Sequence, residues 1–206
     1  VRLSFPLRER PAAPADPEAA AVARAAAGDE AAFAELVRRH ERAVYNVAYR
    51  LLGDREEALD AAQDAFLRCF RGLASFRGDA AFRTWLLGIA INVCRSRLAG
   101  AARRLARRTQ ALMRTDPATG EAVPLEVADS RPGPEATARS GELRDALGRA
   151  LAALSPEHRE VLLLRELGGL EYDEVAAALG CALGTVKSRI ARARTALRAA
   201  LEEVWP

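Results

Sequence analysis

Lys187, Arg189, Arg192, Arg194 and Arg198 recur along TVKSRIARARTALRAALEE, and no acid interrupts them until Glu202. Cations at helical spacing make and break no bonds by themselves; what they do well is neutralise phosphates. The segment just upstream carries the opposite sign, in Glu166, Glu171, Asp173 and Glu174. Of the two successive stretches, only the second tolerates close approach to a polyanion. A solvated basic face on a helical hairpin has the same charge pattern, so charge alone leaves both readings open.

A second charged line lies in EEALDAAQDAFLRCF, where Glu57, Asp60, Asp64 and Arg68 recur at steps of three and four. Acids near a helix start are favoured by the dipole. These persist into the middle of the segment, where the dipole offers nothing, and a partner surface accounts for them there.

Bond-making chemistry finds no comparable set. Of the two histidines, His40 falls on an apolar stripe and His158 in a first helical turn, neither beside a nucleophile or a group of ligands. Cys69, Cys94 and Cys181 are scattered and form no C-x-x-C pair, which fits reduced thiols better than disulfides or zinc. No catalytic residue, metal or cofactor is expected. With 31 Lys+Arg against 28 Asp+Glu, the net charge of +3 is too small to name a partner; the placement of the charges says more. No apolar run approaches the roughly 20 residues that cross a bilayer, and no signal-peptide pattern is present, so no membrane insertion and a cytoplasmic location are expected.

The elements that position these groups read as helices throughout. Ser155-Pro156-Glu157 combines an N-cap, a proline at the first helical position and an acid in the first turn. A shorter helix follows in YDEVAAALG and a longer one from Thr185. Ala176 is small where two helices must cross, Gly180 can take a left-handed turn, and Val186 and Ile190 can fasten the second helix to the first. That is helix-turn-helix spacing, and it favours DNA binding over a solvated hairpin. Upstream, Phe33, Leu36, Val37, His40, Val44, Val47, Ala48 and Leu51 share one helix face. After Gly53 and a capping Asp54, Leu59, Ala62, Phe66 and Phe70 are expected inward on the next helix. A third helix carries Phe82, Trp85, Leu86, Ile89, Val93 and Arg97, with Trp85 read as core. The expected architecture is all-α: two small helical domains joined by a flexible linker, the C-terminal one a helix-turn-helix. Boundaries fall at 1–26 for a proline-rich disordered tail, 27–100, 101–140 for an acidic linker with prolines, and 141–206.

The stretch LSPEHREVLLLRELGGLEYDEVAAALGCALGTVKSRIARARTALR resembles the promoter −35-binding domain of the sigma-70 family of RNA polymerase sigma factors, most closely the extracytoplasmic-function group. The resemblance implies that Lys187, Ser188, Ala191 and Arg192 face the −35 element, with Thr185 and Arg189 near its backbone. A second resemblance, separate and in the expected order, lies upstream. DAAQDAFLRCF is similar to the family segment that grips the clamp helices of the largest polymerase subunit, which gives that role to Asp60, Gln63, Asp64 and Leu67. FRGDAAFRTWLLGIAIN is similar to the segment that melts the −10 element and captures an unstacked base. Such capture needs a loop pocket with polar groups nearby. Ser75, Phe76, Arg77, Gly78 and Asp79 form the candidate pocket, and Asn92 is a candidate DNA contact. Ile91 and Ser96 stand where the family usually has arginine and often has aspartate. Arg95, Arg97, Arg103, Arg104, Arg107 and Arg108 follow without an intervening acid.

The resemblance implies further partners: polymerase core, through its clamp helices and the flap of the second subunit, promoter DNA, and an inhibitory anti-sigma factor. Promoter elements about one and a half helical turns apart are separated by roughly 50 Å. A linker of about 38 residues has an r.m.s. span of about 35 Å, so it reaches if held partly extended. An ordinary helix-turn-helix regulator and an enzyme are the alternatives; the melting-type segment argues against the first and the missing catalytic set against the second.

Overall fold

Aspartates start the two long N-terminal helices. The structure, a computed structural model, describes residues 17–112 and 136–204. Helix α1 spans Pro17–Ala26 and α2 spans Glu30–Leu52. Asp29 caps α2 by accepting from the Ala32 N–H at 2.9 Å. Gly53 ends α2 at φ +76°, and Asp54 then caps α3 (Arg55–Gly72) by accepting from Glu57 N–H at 2.8 Å. The aspartate cap expected after Gly53 is therefore present. A 3₁₀ turn, Leu73–Ser75, leads through a loop into α4, Phe82–Leu112.

Beyond residue 135 the chain resumes in α5 (Ala136–Ala153), α6 (Pro156–Leu162), a π turn over Leu163–Leu167, α7 (Tyr172–Leu179) and α8 (Leu183–Val204). Ser155 caps α6 and Pro156 occupies its first position, as its residue types require. No strand occurs among the described residues.

Three expectations need correction. Residues 17–26 fall inside the expected disordered tail but form α1, because the proline density ends at Pro17 and Ala21, Val22 and Ala25 then make a small apolar face buried against α2. The linker was expected over 101–140, yet α4 continues to Leu112 and α5 begins at Ala136; the alanine- and arginine-rich run after Gly100 is a good helix former. The centre of that expected linker, 113–135, and the tail through residue 16 lie outside the described residues. The inward face of α3 is also different. Ala58, Ala61, Ala65 and Cys69 are buried, while Leu59 and Phe70 are 48% and 45% exposed. Small side chains let α3 approach α2 and α4 closely, and the larger ones are turned to the rim.

The N-terminal core gathers Leu36, Val44 and Val47 from α2 with Leu86, Leu87, Ile91 and Cys94 from α4. Burial of each large aliphatic side chain contributes about 1.5–3 kcal/mol. The C-terminal core gathers Val161, Leu164, Leu170, Val175, Val186 and Ile190. The two cores are continuous, because α7 packs on α4 and the π turn packs on α2.

Candidate nucleic-acid interface

The turn between α7 and α8 is built as its residues dictate. Gly180 takes φ +64°, and the Cys181 N–H reaches back to the Ala176 carbonyl at 3.1 Å, closing a left-handed helix end. Val186, Ile190 and Ala193 are buried and fix α8 against the unit's core. That leaves Lys187, Ser188, Ala191 and Arg192 exposed along one side of α8, with Thr185 and Arg189 half-buried beside them. Ser188 Oγ donates to the Thr185 carbonyl at 3.0 Å, and Arg189 Nη2 lies 3.2 Å from Glu157 Oε2 on α6. All six residues picked out on this helix therefore share one surface. Further along, Arg194 donates to Glu166 at 2.9 Å. That contact holds its guanidinium charge more firmly than usual, through the hydrogen bond to Glu166 first.

The N-terminal unit presents two more of the expected positions. In the loop before α4, Ser75 Oγ donates to the Gly72 carbonyl at 2.7 Å, and Phe76 packs its ring 4.8 Å from Trp85 and edge-on to Phe82. Ser75, Arg77, Gly78 and Asp79 are exposed, Gly78 at φ +74°, and an exposed Arg77–Asp79 pair closes the tip at 3.1 Å. Asn92 is exposed on α4, with Oδ1 3.4 Å from Arg95 Nη1. Ten residues of helix separate it from Phe82 at the loop's end, about 15 Å along the axis. Loop and asparagine thus form one elongated surface and not a single pocket. Trp85, read as core, is half-buried beneath Phe76.

On α3, Asp60, Gln63 and Leu67 are exposed in one row with Asp64. The row is held from behind by Arg97 of α4, which donates to Asp64 at 2.6 Å and to Glu57 at 2.8 Å and lies 4.0 Å from Asp60. These contacts, the Asp64 bond first, raise the Arg97 guanidinium above its ordinary value. Beside the row, Phe33 and Val37 of α2 with Leu59, Phe66, Leu67 and Phe70 of α3 line an open apolar groove of about 930 Å³. Sequence reasoning assigned those large side chains, Leu67 apart, to the core and so missed the groove. An alanine stripe at positions 58, 61 and 65 was the available sign that α3 turns a different face inward.

A further group went unnoticed at the seam between units. Glu160 is 3% exposed, and its two oxygens accept from Arg95 Nε at 2.6 Å and Nη2 at 2.5 Å. Thr84 Oγ1 donates to Glu174 at 2.9 Å, and Arg159 donates to the Leu51 carbonyl at 3.3 Å. Burial lowers the Arg159 guanidinium from its usual value, opposed by Glu160. An acid inside the apolar run EVLLL was the sequence sign that this position has a partner.

The chain has relatives among known proteins. Residues 36–104 match the model of Sigma-70 region 2, and residues 144–197 match that of Sigma-70, region 4. The chain is 34% identical to the RNA polymerase sigma-H factor of Pseudomonas aeruginosa over 181 residues, 88% of this chain and 92% of that one. It is 36% identical to the ECF RNA polymerase sigma-E factor of Escherichia coli K12 over 184 residues, 85% of this chain and 90% of that one. Among solved structures it is similar to CnrH in complex with the cytosolic domain of CnrY, with a TM-score of 0.66, 28% identity and coverage of 91% and 99%. It is also similar to the sigma factor RpoE in complex with the anti-sigma factor NepR from Bartonella quintana, with a TM-score of 0.58, 28% identity and coverage of 82% and 96%. On these grounds the chain belongs to the sigma-70 family of RNA polymerase sigma factors, in its extracytoplasmic-function group, and acts in the initiation of transcription.

Proposed function

We propose that the N-terminal unit, residues 27–100, binds core polymerase and the −10 element, and that the C-terminal unit, 141–206, reads the −35 element. In this reading Lys187, Ser188, Ala191 and Arg192 meet the groove, while Thr185 and Arg189 steady the backbone. Ser75, Phe76, Arg77, Gly78 and Asp79 receive an unstacked base, and Asn92 contacts the same strand. Asp60, Gln63, Asp64 and Leu67 dock on the clamp helices, and the C-terminal unit meets the flap. The observation that carries the reading is the pairing in one chain of an exposed basic line on α8 with an exposed acid-and-leucine row on α3.

The protein works by binding and not by catalysis, with no cofactor or metal, and in the cytoplasm, where its partner polymerase and DNA are found. No described helix is long and apolar enough to cross a membrane. An anti-sigma factor is a further proposed partner; both similar solved structures hold a bound partner, and in one of them a sigma factor is named with its anti-sigma factor.

Transcription in vitro with core polymerase, on fragments upstream of this protein's own gene, tests the proposal. Promoter-specific transcripts that vanish on Leu67→Arg or on Lys187→Ala/Arg192→Ala are expected. No transcripts and no association with core polymerase in pull-down would sink it.

A further inference from the structure

A second cleft, polar and of about 320 Å³, opens between α3 and α4, at the small end of the range for ligand sites. One wall is a single face of α3 carrying Glu57, Asp64 and Arg68; the other is a single face of α4 carrying Val93, Arg97, Gly100 and Arg104. A Cβ at Gly72, the end of α3, would lie 3.3 Å from Trp85 at the start of α4, so the two helices run antiparallel. Arg97 fills the middle of the cleft, where it is committed to Asp64 and Glu57. Arg68 then stands at the Val93 end and Arg104 at the opposite end.

These two end arginines are exposed, and neither makes an ion pair among the described residues. Arg68 lies one turn from Asp64, the ordinary spacing of a helical pair, yet Asp64 faces Arg97 instead. Helix dipoles do not account for them either. Arg71 already occupies the last turn of α3, and Arg104 stands more than two turns before Leu112. Arg104 Nη1 folds back over Gly100, 3.5 Å from where a Cβ would be, so the missing side chain gives the guanidinium its place in the cleft. Ser96 turns its hydroxyl onto the Asn92 carbonyl at 2.9 Å and adds no competing donor. From Val93 to Gly100 the axis advances about 10 Å. One nucleoside with a phosphate on each side, or a short run of strand, fills such a span.

We propose that the α3–α4 cleft is a phosphate-binding site with an arginine at each end, taking two phosphate groups joined by a nucleoside-sized spacer. Each guanidinium donates paired N–H bonds to its phosphate. Arg97 neutralises the acids between them, and Glu57 and Asp64 keep lone pairs that accept from amino or hydroxyl groups of the spacer. A free nucleotide phosphorylated on both sides and a run of nucleic-acid strand present this same chemistry. The assignment rests on the cleft's own charges and holds whether or not α8 and the loop before α4 act on a promoter.

The test titrates the full chain with two probes: adenosine 3′,5′-bisphosphate, followed by calorimetry, and a labelled oligo(dT), followed by fluorescence anisotropy. Arg68→Ala and Arg104→Ala should each weaken the probe that the site takes by about ten-fold, the loss of one charge-assisted contact. Gly100→Leu fills the floor of the cleft without changing charge and should weaken it as much. Arg38→Ala removes an equally exposed arginine of α2 outside the cleft and should leave both probes unchanged. Loss confined to the bisphosphate supports the site with a free nucleotide as its ligand. Loss that includes the oligonucleotide, with a salt slope lower by about 0.7 for each arginine, supports it with a strand. The proposal is overturned if neither probe depends on Arg68 and Arg104, or if Gly100→Leu binds like the natural chain. It is overturned equally if Arg38→Ala loses as much, which marks a plain charge effect. Transcription with core polymerase is read in parallel: its failure strikes the promoter reading, and the titrations still judge the cleft.

Discussion

Glu160 and Glu157, one turn apart on α6, each hold an arginine from a different helix: Arg95 of α4 across the seam, and Arg189 of α8 within the unit. The two pairs differ in setting. Glu160 has 4% of its side chain exposed and Glu157 has 63%. The outer pair is screened by water and salt and steadies Arg189 at little energetic gain. In the inner pair the Glu160 carboxylate has no water to fall back on, so loss of Arg95 leaves a buried charge unsatisfied. Position on the helix, one turn inward, decides which of the two acids is buried at the seam.

Substitutions on α8 should separate reading from holding. Arg192→Ala removes an exposed side chain with no helix to support, and a lost base contact costs about 1–3 kcal/mol and relaxes preference at one −35 position. Arg198→Ala, further along, should weaken binding evenly across sequences and flatten the salt dependence. Transcription from a panel of single-base −35 variants distinguishes the two.

Polymerase affinity should depend on Leu67 more than its exposure alone implies, because it lines the apolar groove as well as the acid row. Leu67→Arg is expected to reduce association with core polymerase at least ten-fold while the melting temperature stays within a few degrees. Asp64→Arg should do both kinds of damage, since it also meets Arg97. Asp60→Arg, 68% exposed at its side chain, should affect association alone. Pull-down titration beside thermal melts reads both effects.

Gly180→Ala tests the helix-turn-helix directly. Nothing lies within 4 Å of a Cβ built there, so the cost is purely the left-handed backbone at φ +64°. A loss of about 1–2 kcal/mol is expected, measured by urea denaturation, with a matching loss of −35-dependent transcription.

Acid should loosen the N-terminal unit through His40. The ring is 5% exposed, has Nε2 2.8 Å from the Glu18 carboxylate of α1, and lies against Phe82 of α4. Burial lowers its pKa below 6.5; Glu18 pulls it upward, while Arg83 and Arg39 push the same way as burial. The unfolded chain therefore takes up a proton that the folded chain resists. Stability is complete above the unfolded value near 6.5 and falls as pH descends toward the depressed folded value. Urea midpoints from pH 7.5 to 5.5 should fall in the natural chain, and that fall should be shallower in His40→Gln.

The thiols should sort by depth. Burial pushes Cys69 up to about 12 and Cys94 to about 11, so neither yields appreciable thiolate at pH 8. Cys181, half-buried in the turn before α8, should be alkylated first by iodoacetamide, as mass spectrometry after timed quenching would show.

Much of this was legible because local rules governed it. Asp54, Ser155 and Gly180 act through backbone groups a few residues away, and their roles follow from their types. The exposed row on α8 was legible for the same reason: Val186 and Ile190 settle which side faces in. The inward face of α3 was not, because side-chain size does not reveal it where close helix crossing selects alanine. The seam was invisible for a different reason. Glu160 and Arg95 are 65 residues apart in sequence, and no local pattern encodes a pairing of that range.

Phe76 gives the loop before α4 a footing. With its ring seated between Trp85 and Phe82, and Ser75 tied back to Gly72, only a short tip is left to adjust. A strand arriving at that tip meets a shape already cast. On the role proposed for this loop, the slow event in capture is the unstacking of the base, a property of the DNA, so easily melted sequences are favoured before any hydrogen bond is compared.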